Sequence, residues 1–266
     1  MGPQSAFSTL DKTMKCYYNA AMNKTIDFEG CDIIFEITRF CNMNCPHCMR
    51  GDFQRKRIKK EYIDAALKNV KYISTLTVSG GEPALAVDLI EYVYNACSNF
   101  RVSYANFWMA TNGMITRPSF FNVLERLYRA SEEKDLNGLR VSVDGYHDHV
   151  NIYPFREFVE KMEWMGEKVY LEEAGAPRDS MNLIGDGRAA ENYYTTRKVE
   201  HQIHLMDDCR IEGSIYVNAN GYIISTGDIS YEKMDNEKDF TVGHVTDDWQ
   251  EIFNRFFEKH SDLVYD

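Results

Sequence analysis

Three cysteines near the beginning of the chain have the residue type and the spacing of a metal-binding loop. They are Cys41, Cys45 and Cys48, which stand within eight residues. Their thiolates are close enough in sequence to hold one metal centre. A closed zinc site takes four ligands, and a cubane iron–sulfur cluster usually takes four cysteines. Three cysteines therefore leave one coordination position open, and an open position is where chemistry can occur.

Composition limits the class of protein. With 266 residues and 44% hydrophobic residues, the chain predicts one large domain, or one domain with an appendage. The net charge of −11 argues against a nucleic-acid partner. No apolar run has the length of a membrane span, and the first residues lack the apolar segment of a signal peptide. Seven cysteines are an odd number, so a disulfide scaffold is not expected. We predict a cytoplasmic protein.

The sequence alternates between segments typical of strands and segments typical of helices. Predicted strands cover residues 32–38, 75–79, 104–110, 139–143 and 168–172, and predicted helices cover residues 60–73, 84–97, 118–131 and 154–165. This alternation predicts a parallel α/β sheet with right-handed crossovers, either open or rolled into a partial barrel. Ligands bind at the carboxyl ends of the strands in such folds. The cysteine loop follows the first strand, so we expect it at that edge.

One face of the predicted sheet carries polar side chains. Side chains two residues apart share a face of a strand, so Glu36 and Thr38 lie opposite the apolar residues of the first strand. A sheet covered on both faces would be apolar throughout. We therefore expect helices on one face and a wet, ligand-holding concavity on the other. Glu36 faces this concavity as a candidate substrate contact; the alternative is half of a buried ion pair.

The sequence after residue 175 departs from the alternation. Residues 182–189 predict a strand or a loop with tight turns. Asn220-Gly221 between two short strands (214–218 and 222–226) predicts a hairpin with a type I′ turn, and residues 249–259 predict an amphipathic helix. Residues 7–22 could form a helix of irregular period. We divide the chain into an N-terminal segment (1–30), a barrel (31–200) and a C-terminal extension (201–266).

The cysteine spacing after a first strand resembles the radical S-adenosylmethionine (SAM) superfamily, over about residues 32–190. The resemblance implies a partial (β/α)6 barrel in which Cys41, Cys45 and Cys48 bind three irons of one [4Fe–4S] cluster. SAM would chelate the fourth iron through its amino and carboxylate groups. The reduced cluster would cleave the sulfonium, and the 5′-deoxyadenosyl radical would abstract hydrogen from a substrate. The alternative from another class is a non-catalytic protein with structural zinc, completed by His47 or a distant cysteine.

A second motif, Gly80-Gly81-Glu82-Pro83, resembles the segment that binds the SAM amino group in this superfamily. Two glycines allow positive φ angles and a close approach of the backbone to a ligand. The Glu82 carboxylate could accept a hydrogen bond from an ammonium group. The alternative is a tight turn from a strand into a helix.

The resemblance implies four further SAM contacts. His47 occupies the position of the aromatic residue that lies near the adenine in most members. Asn112 belongs to the turn after the third strand, and Ser142 and Asp144 resemble ribose and SAM contacts of the fourth. Asn-Gly and Asp-Gly are also common turn pairs, so ordinary turns are the alternative.

One position departs from the family pattern. The family often has His-Asp-x-x-Arg after the fourth strand, and Asn151 stands where that arginine is expected. The arginine is the usual carboxylate-binding residue. Arg156 or Arg188 could replace it.

The tail resembles the C-terminal extension called SPASM or twitch, which normally holds auxiliary clusters through several cysteines. Here residues 201–266 contain one cysteine, Cys209, and Ser225-Thr226-Gly227 stands where another is expected. We therefore expect one cluster in the protein, with the tail serving as a lid or a substrate platform. Cys209 is a candidate hydrogen-atom donor to a substrate radical, whereas Cys97 is predicted to lie in the hydrophobic core.

The resemblance implies an oxidoreductase that modifies a ribosomally made peptide or protein. Radical chemistry on a small metabolite and activation of a glycyl-radical enzyme are the alternatives within enzymes. Residues 50–60 contain six basic residues against Asp52. They form either a solvated helix start or a dock for an acidic partner, such as a flavodoxin or ferredoxin electron donor or a leader peptide.

Overall fold

The computed structural model describes residues 25–147, 150–175, 182–195 and 197–265. The helix predicted over residues 7–22 lies outside the described residues. The strands are β1 (Asp32–Thr38), β2 (Tyr72–Gly80), β3 (Ser103–Thr111), β4 (Gly138–Ser142), β5 (Tyr170–Ala174), β6 (Ile203–Leu205), β7 (Ile211–Val217), β8 (Tyr222–Ile224) and β9 (Thr241–His244). The α-helices are α1 (Lys60–Leu67), α2 (Val87–Phe100), α3 (Pro118–Ala130), α4 (Tyr153–Trp164), α5 (Gly187–Asn192), α6 (Tyr231–Asn236) and α7 (Trp249–Lys259).

A mainly parallel sheet organises the chain. Its strand order is β5-β4-β3-β2-β1-β7-β8-β9, with β6 paired to β7. Strands β1 to β5 are parallel neighbours in chain order, and α1 to α4 form the successive crossovers between them. This arrangement confirms the α/β fold and the parallel sheet of a partial barrel. The carboxyl ends of all five strands consequently meet at one edge.

The apolar core lies between the sheet and helices α1 to α4. Phe35 of β1, Phe120 of α3 and Phe155 of α4 are all fully buried within it. Complete burial of such a side chain contributes roughly 1.5–3 kcal/mol. On the opposite face of the sheet, Thr75 and Thr77 of β2 are half-buried, as the alternation in the sequence predicts. The core therefore fixes the strand ends and the loops that follow them.

The tail continues the sheet. Strand β7 pairs in parallel with β1, from Asp32 opposite Ser214 to Phe35 opposite Val217. The sixth parallel strand therefore comes from the predicted extension and lies beside β1, on the far side from β5. Strands β8 and β9 follow as antiparallel neighbours.

The hairpin between β7 and β8 is at its predicted place but has a different turn. Gly221 has φ of 85°, and Asn220 is not among the residues with positive φ. A type I′ turn needs positive φ at both central residues. Val217 pairs with Ile223, and Asn218 N–H bonds to the Tyr222 carbonyl oxygen at 2.9 Å. These contacts leave a three-residue loop that ends in a left-handed glycine, which is the next most common hairpin connection.

Several predicted boundaries are shifted by two or three residues, and two predictions differ more. The first helix ends at Leu67, because Ile73 already pairs with Tyr104 in the sheet. The segment predicted as a strand or loop over residues 182–189 contains the start of α5 at Gly187. Asp186 caps that helix by accepting a hydrogen bond from Gly187 N–H at 2.8 Å. Among the described residues, no helix is both long enough and apolar enough to cross a membrane.

Candidate functional site

The cysteine loop begins directly after β1, at the carboxyl edge of the sheet, and its three cysteines are half-buried. Arg188 of α5 holds this loop. Its Nε donates to the Cys45 carbonyl oxygen at 2.9 Å, and its backbone N–H donates to the Cys48 carbonyl oxygen at 3.0 Å. Its Nη1 pairs with Asp52 at 2.9 Å. The sequence predicts Arg188 as a carboxylate-binding residue; the structure brings it to this edge and engages it with the loop.

Two of the cysteine thiols, Cys41 and Cys45, resist ionisation on their own. Burial, followed by the neighbouring Cys48 and Cys41, raises the pKa of Cys45 to about 11. Burial likewise raises the pKa of Cys41. A metal centre that binds here must therefore displace the thiol protons, so its binding is coupled to proton release.

The glycines of the second motif let two backbones meet. A Cβ at Gly80 would lie 2.1 Å from the Thr38 carbonyl oxygen, and one at Gly81 would lie 2.5 Å from the Phe40 carbonyl oxygen. Gly81 N–H donates to Thr38 at 2.8 Å, and Glu82 N–H donates to Phe40 at 2.9 Å. The motif is therefore fastened to the start of the cysteine loop. Pro83 opens a short 3-10 helix behind it and is buried.

Glu82 links the second motif to the turn after β3. Its carboxylate is buried and accepts hydrogen bonds from Ala84 N–H at 3.0 Å, Thr111 Oγ1 at 2.8 Å and Asn112 N–H at 2.7 Å. Burial raises the pKa of Glu82, although these three donors oppose the shift. A carboxylate has about four lone-pair sites, so one remains for a ligand.

Asn112 lies against the cysteine loop. Its Nδ2 donates to Asn42 Oδ1 at 2.8 Å and lies 3.8 Å from Cys41 Sγ. The Met43 N–H donates to the same sulfur at 3.4 Å. Hydrogen bonds to cysteine sulfur are one means by which proteins tune iron–sulfur potentials. Asn112 therefore stands where it can contact both the loop and a bound ligand.

A group that we call the loop cluster comprises Cys45, His147, Asp144 and His47. His147 Nε2 lies 3.7 Å from Cys45 Sγ, and its Nδ1 lies 2.8 Å from Asp144 Oδ1. Asp144 also accepts the backbone N–H groups of Tyr146 and His147. This arrangement orients the His147 ring so that Nε2 faces the sulfur. The sequence predicts Asp144 as a site residue; His147 was visible only as part of the family motif.

His47 lies in the same cluster beside an aromatic ring. Its ring centroid is 4.2 Å from that of Tyr146 and 5.4 Å from that of His147. Burial, followed by His147, lowers the pKa of His47, so its neutral form is favoured. His47 Nδ1 is buried and has no hydrogen-bond partner within the described part of the chain. A flat, neutral ring with a spare nitrogen suits the predicted place beside an adenine.

The remaining predicted SAM contacts separate into two groups. Ser142 ends β4 at the same edge and is half-buried. Arg156 lies on the helix-covered side of the sheet: it pairs with Glu173 at 2.6 Å, level with Val141, whose side chain belongs to the core. Asn151 is exposed and accepts Tyr153 N–H at 3.2 Å at the start of α4.

Glu36 is a structural residue, which corrects its prediction as a substrate contact. Its side chain is 0% exposed. It accepts hydrogen bonds from Arg39 Nε at 2.6 Å, Tyr216 Oη at 2.8 Å and Ala219 N–H at 2.9 Å. Arg39 Nη1 also forms an ion pair with Asp235 Oδ2 of α6 at 2.8 Å. We call Glu36, Arg39, Tyr216 and Asp235 the ion-pair cluster.

Cys209 is remote from the cysteine loop, so its predicted role as hydrogen donor is wrong. It precedes β7, whose Ser214 is level with Asp32 at the amino end of β1. The seven residues of β1, at about 3.3 Å each, place it more than about 20 Å from the loop. Its N–H bonds to Met206 at 2.9 Å in a local turn. Cys97 is core as predicted, and burial raises its pKa to about 12.

The tail covers the back of the cysteine loop, a contact that no local sequence signal indicates. Tyr231 N–H donates to the Arg50 carbonyl oxygen at 3.1 Å. The buried Arg50 guanidinium lies 5.2 Å from the Tyr216 ring centroid and donates to the Ile229 carbonyl oxygen at 3.0 Å. Tail residues therefore support the loop that carries the cysteines.

The cysteine sulfurs are spread more widely than the ligands of one ion. Among the described residues, two trios of His, Cys, Asp or Glu have donor atoms within 4.8 Å of one another, and neither contains the cysteines. Zinc at about 2.3 Å would hold thiolate sulfurs about 3.8 Å apart. In the portion of the chain that the structure describes, the three sulfurs therefore do not form a closed zinc site of that size. The spare His47 nitrogen beside the loop fits a bound SAM as well.

Comparison with known proteins gives one family match. The radical SAM superfamily model matches residues 35–170. An AdoMet-dependent heme synthase of Methanosarcina barkeri (strain Fusaro) is 32% identical over 122 residues, which are 42% of this chain and 31% of that protein. The chain spans less than half the length of the curated relatives it matches.

Solved structures of radical SAM enzymes share the fold, including the two that follow. The structure of anSMEcpe with bound AdoMet and Cp18Cys peptide has a TM-score of 0.54 at 11% identity, over 88% of this chain and 82% of that chain. Streptococcus suis SuiB bound to S-adenosylmethionine has a TM-score of 0.51 at 11% identity, over 96% and 70%. At this identity the likeness shows the fold alone.

Proposed function

The chain belongs to the radical SAM superfamily, and from that membership we propose that it is a peptide- or protein-modifying oxidoreductase with one [4Fe–4S] cluster. One observation carries the proposal. The cysteine loop and the Gly-Gly-Glu-Pro motif leave neighbouring strands at the same edge and are hydrogen-bonded to each other. A ligand bound by one is thus within reach of the other.

Cys41, Cys45 and Cys48 would hold the cluster, and SAM would complete it. When bound, the pair supplies a 5′-deoxyadenosyl radical that abstracts hydrogen from a substrate. The protein's own part is to position them. Arg188 and Asn112 fix the loop, and the proposed contacts for SAM are the Gly80–Pro83 motif, His47, Ser142 and Asp144.

His147 would donate from Nε2 to the Cys45 sulfur. Asp144 can accept from Nδ1 at the same time only when the ring carries both protons, so the proposed donor is the imidazolium form, and Asp144 holds it in that orientation. Such a donor favours the more negatively charged, reduced state of a cluster. We therefore assign His147 the role of a positioning and tuning residue.

A peptide substrate is favoured by the surface at this edge. Exposed apolar side chains occur after β3, after β4 and after α5: Met114, Val143, Tyr153 and Tyr194. Such residues suit the side chains of a bound peptide. In the anSMEcpe structure, whose fold this chain shares, a peptide is bound together with AdoMet. A small metabolite and a glycyl-radical enzyme are the competing substrates.

The tail would form the floor beneath that substrate. We propose that the domain boundary lies near residue 200. Residues 201–266 would then form a SPASM-like platform without an auxiliary cluster. The contact between Tyr231 and Arg50 supports this role, since it ties the platform to the loop.

An acidic electron donor would dock beside the loop. Residues 54–58 run along the end of β1, where Arg39 N–H bonds to Lys56 and Ile58 N–H bonds to Ile37. Arg55 in this segment and the adjacent Lys59 are exposed, and Phe40 and Phe53 form an exposed edge-to-face pair next to them. Positive charge around an apolar pair is complementary to flavodoxin or ferredoxin.

Anaerobic reconstitution with iron and sulfide tests the activity. We expect about four irons per chain, a brown colour that bleaches with dithionite, and release of 5′-deoxyadenosine from SAM. A colourless protein that binds zinc at the cysteines and leaves SAM intact would overturn the proposal. Co-expression with short peptides encoded by neighbouring genes, followed by mass spectrometry, tests the substrate class. Turnover with metabolites but with no peptide would favour the competing substrate.

A further inference from the structure

A second group of metal-binding residues lies in the tail. His201 precedes β6, Asp239 lies in the short 3-10 helix before β9, and His260 follows α7 directly. The two Nε2 atoms lie 4.0 Å (His201) and 3.7 Å (His260) from the carboxylate oxygens of Asp239. The three donor atoms lie within 4.8 Å of one another. We call these residues the histidine cluster.

The two imidazoles are poised as ligands. His201 Nδ1 lies 2.7 Å from the Oγ of the fully buried Ser225. If Nδ1 donates to this hydroxyl, Nε2 keeps its lone pair, which is the usual arrangement for metal-bound histidine. His260 Nε2 is buried and has no hydrogen-bond partner in the described ranges. A buried nitrogen left in this way costs stability unless something binds it.

We propose that His201, Asp239 and His260 bind a divalent transition-metal ion, with Zn²⁺ as the best match and water as the fourth ligand. Two imidazoles and a carboxylate are ligands that zinc accepts. Zinc with ligands at about 2.0–2.1 Å would bring their atoms about 3.4 Å apart. The distances to Asp239 are 4.0 Å to Oδ2 and 3.7 Å to Oδ1, and the three donor atoms lie within 4.8 Å of one another, so the ligands would move closer together by about 0.3 to 1.4 Å on binding.

One cation competes for this position. The Lys259 ammonium lies 2.6 Å from Asp239 Oδ1, and its side chain is 57% exposed. A flexible, exposed side chain can turn into solvent when the metal binds.

The metal would fasten the tail. Its three ligands come from the segment before β6, the 3-10 helix before β9 and the residue after α7. One ion would link these segments, as an auxiliary cluster would through cysteines that this tail lacks. The site would need neither the cysteine loop nor SAM, so the inference is independent of the proposed activity.

The test uses protein with its iron–sulfur cluster in place, stripped of loosely bound metal by EDTA and then supplied with one equivalent of Zn²⁺. Elemental analysis should find one zinc per chain in the parent. X-ray absorption at the zinc edge should show only nitrogen and oxygen neighbours, at about 2.0 Å. A sulfur shell at about 2.3 Å would place the zinc on cysteine and overturn the proposal.

Substitutions separate this site from adventitious zinc. His260→Gln and Asp239→Asn should each lower zinc retention at least tenfold, whereas His204→Gln, a control in β6 of the same tail, should retain it. Added zinc should raise the Tm of the parent and of His204→Gln only. Asp239 is 56% exposed, so its variant should fold even if His260→Gln does not. Equal retention by Asp239→Asn and the parent would contradict the assignment.

Discussion

The loop cluster lies in the loops at the carboxyl edge of the sheet, the ion-pair cluster is built around Glu36 within β1, and the two have opposite properties. In the loop cluster, Cys45 is half-buried and His47 has a nitrogen without a partner in the described chain. In the ion-pair cluster, Glu36 is fully enclosed and accepts three hydrogen bonds. Polar residues on a strand face therefore do not identify a site by themselves. Exposure and unused hydrogen-bonding capacity distinguish residues available for chemistry from residues that hold the fold.

The largest expected effect is loss of the cluster on substitution of Cys45, which tests the contrast between the two clusters. Cys45→Ala should lose the cluster and all measurable SAM cleavage, because two cysteines cannot hold it. The stability of the cluster-free protein should change little, since Cys45 is only half-buried. Iron content, 5′-deoxyadenosine release and urea unfolding measure the three quantities. Cys97→Ala is the matched control and should keep its iron. Retained cleavage in Cys45→Ala would break the assignment of the cysteines.

Glu36→Ala should show the reverse pattern. It leaves the buried Arg39 guanidinium without its nearest carboxylate, which costs about 3 kcal/mol, or roughly a hundredfold in the folding equilibrium. Urea unfolding of the cluster-free protein measures the loss. Glu173→Gln removes an exposed ion pair with Arg156 and should leave stability unchanged. If Glu36→Ala were as stable as the parent but inactive, Glu36 would be a site residue after all.

The next largest effect should distinguish Arg188 from Arg156, which the sequence predicts for the same carboxylate-binding role. The two variants should differ in the rate at which they release iron. Arg188→Gln removes the Nε donor to the Cys45 carbonyl oxygen, so the loop should release its iron to a chelator about tenfold faster. Arg156→Gln should match the parent, because its partner lies on the helix-covered side of the sheet. The time course of iron release under anaerobic conditions measures both. Identical rates for the two variants would show that Arg188 does not hold the loop.

The smallest expected effect concerns His147. His147→Gln removes the ring donor that faces Cys45 Sγ. A hydrogen bond of about 1 kcal/mol corresponds to about 40 mV for one electron, so the cluster potential should become more negative by about that amount. A redox titration followed by electron paramagnetic resonance measures the shift. An unchanged potential would show that His147 does not tune the cluster.

Local patterns were sufficient for the elements and for the edge that they form. The bounds of β1 and of α7 agree with the sequence prediction, because each has a clear period and distinct ends. The same periodicity located the cysteine loop and the second motif at one edge. The turn at Gly221 was misjudged because the Asn-Gly pair fits more than one hairpin connection.

Long-range pairing accounts for the errors at the site. Alternation along β1 shows that Glu36 faces away from the helices, but it cannot show that Tyr216 and Ala219 cover it. Cys209 was misplaced because spacing along the chain does not reveal which end of the sheet a residue reaches. His147 was missed as a contact of Cys45 because the two residues are 102 positions apart.

The pairing of β7 with β1 has a consequence for how the protein matures. Tyr216 and Glu36 are hydrogen-bonded although they are 180 residues apart in the sequence. A ribosome that has released only residues 31–200 presents β1 with one free edge and Arg39 without Asp235. Contacts of such long range form late in folding. A chain truncated before the tail should therefore accept iron and sulfide poorly, because Arg39 and Arg50 would lack the tail groups that they contact.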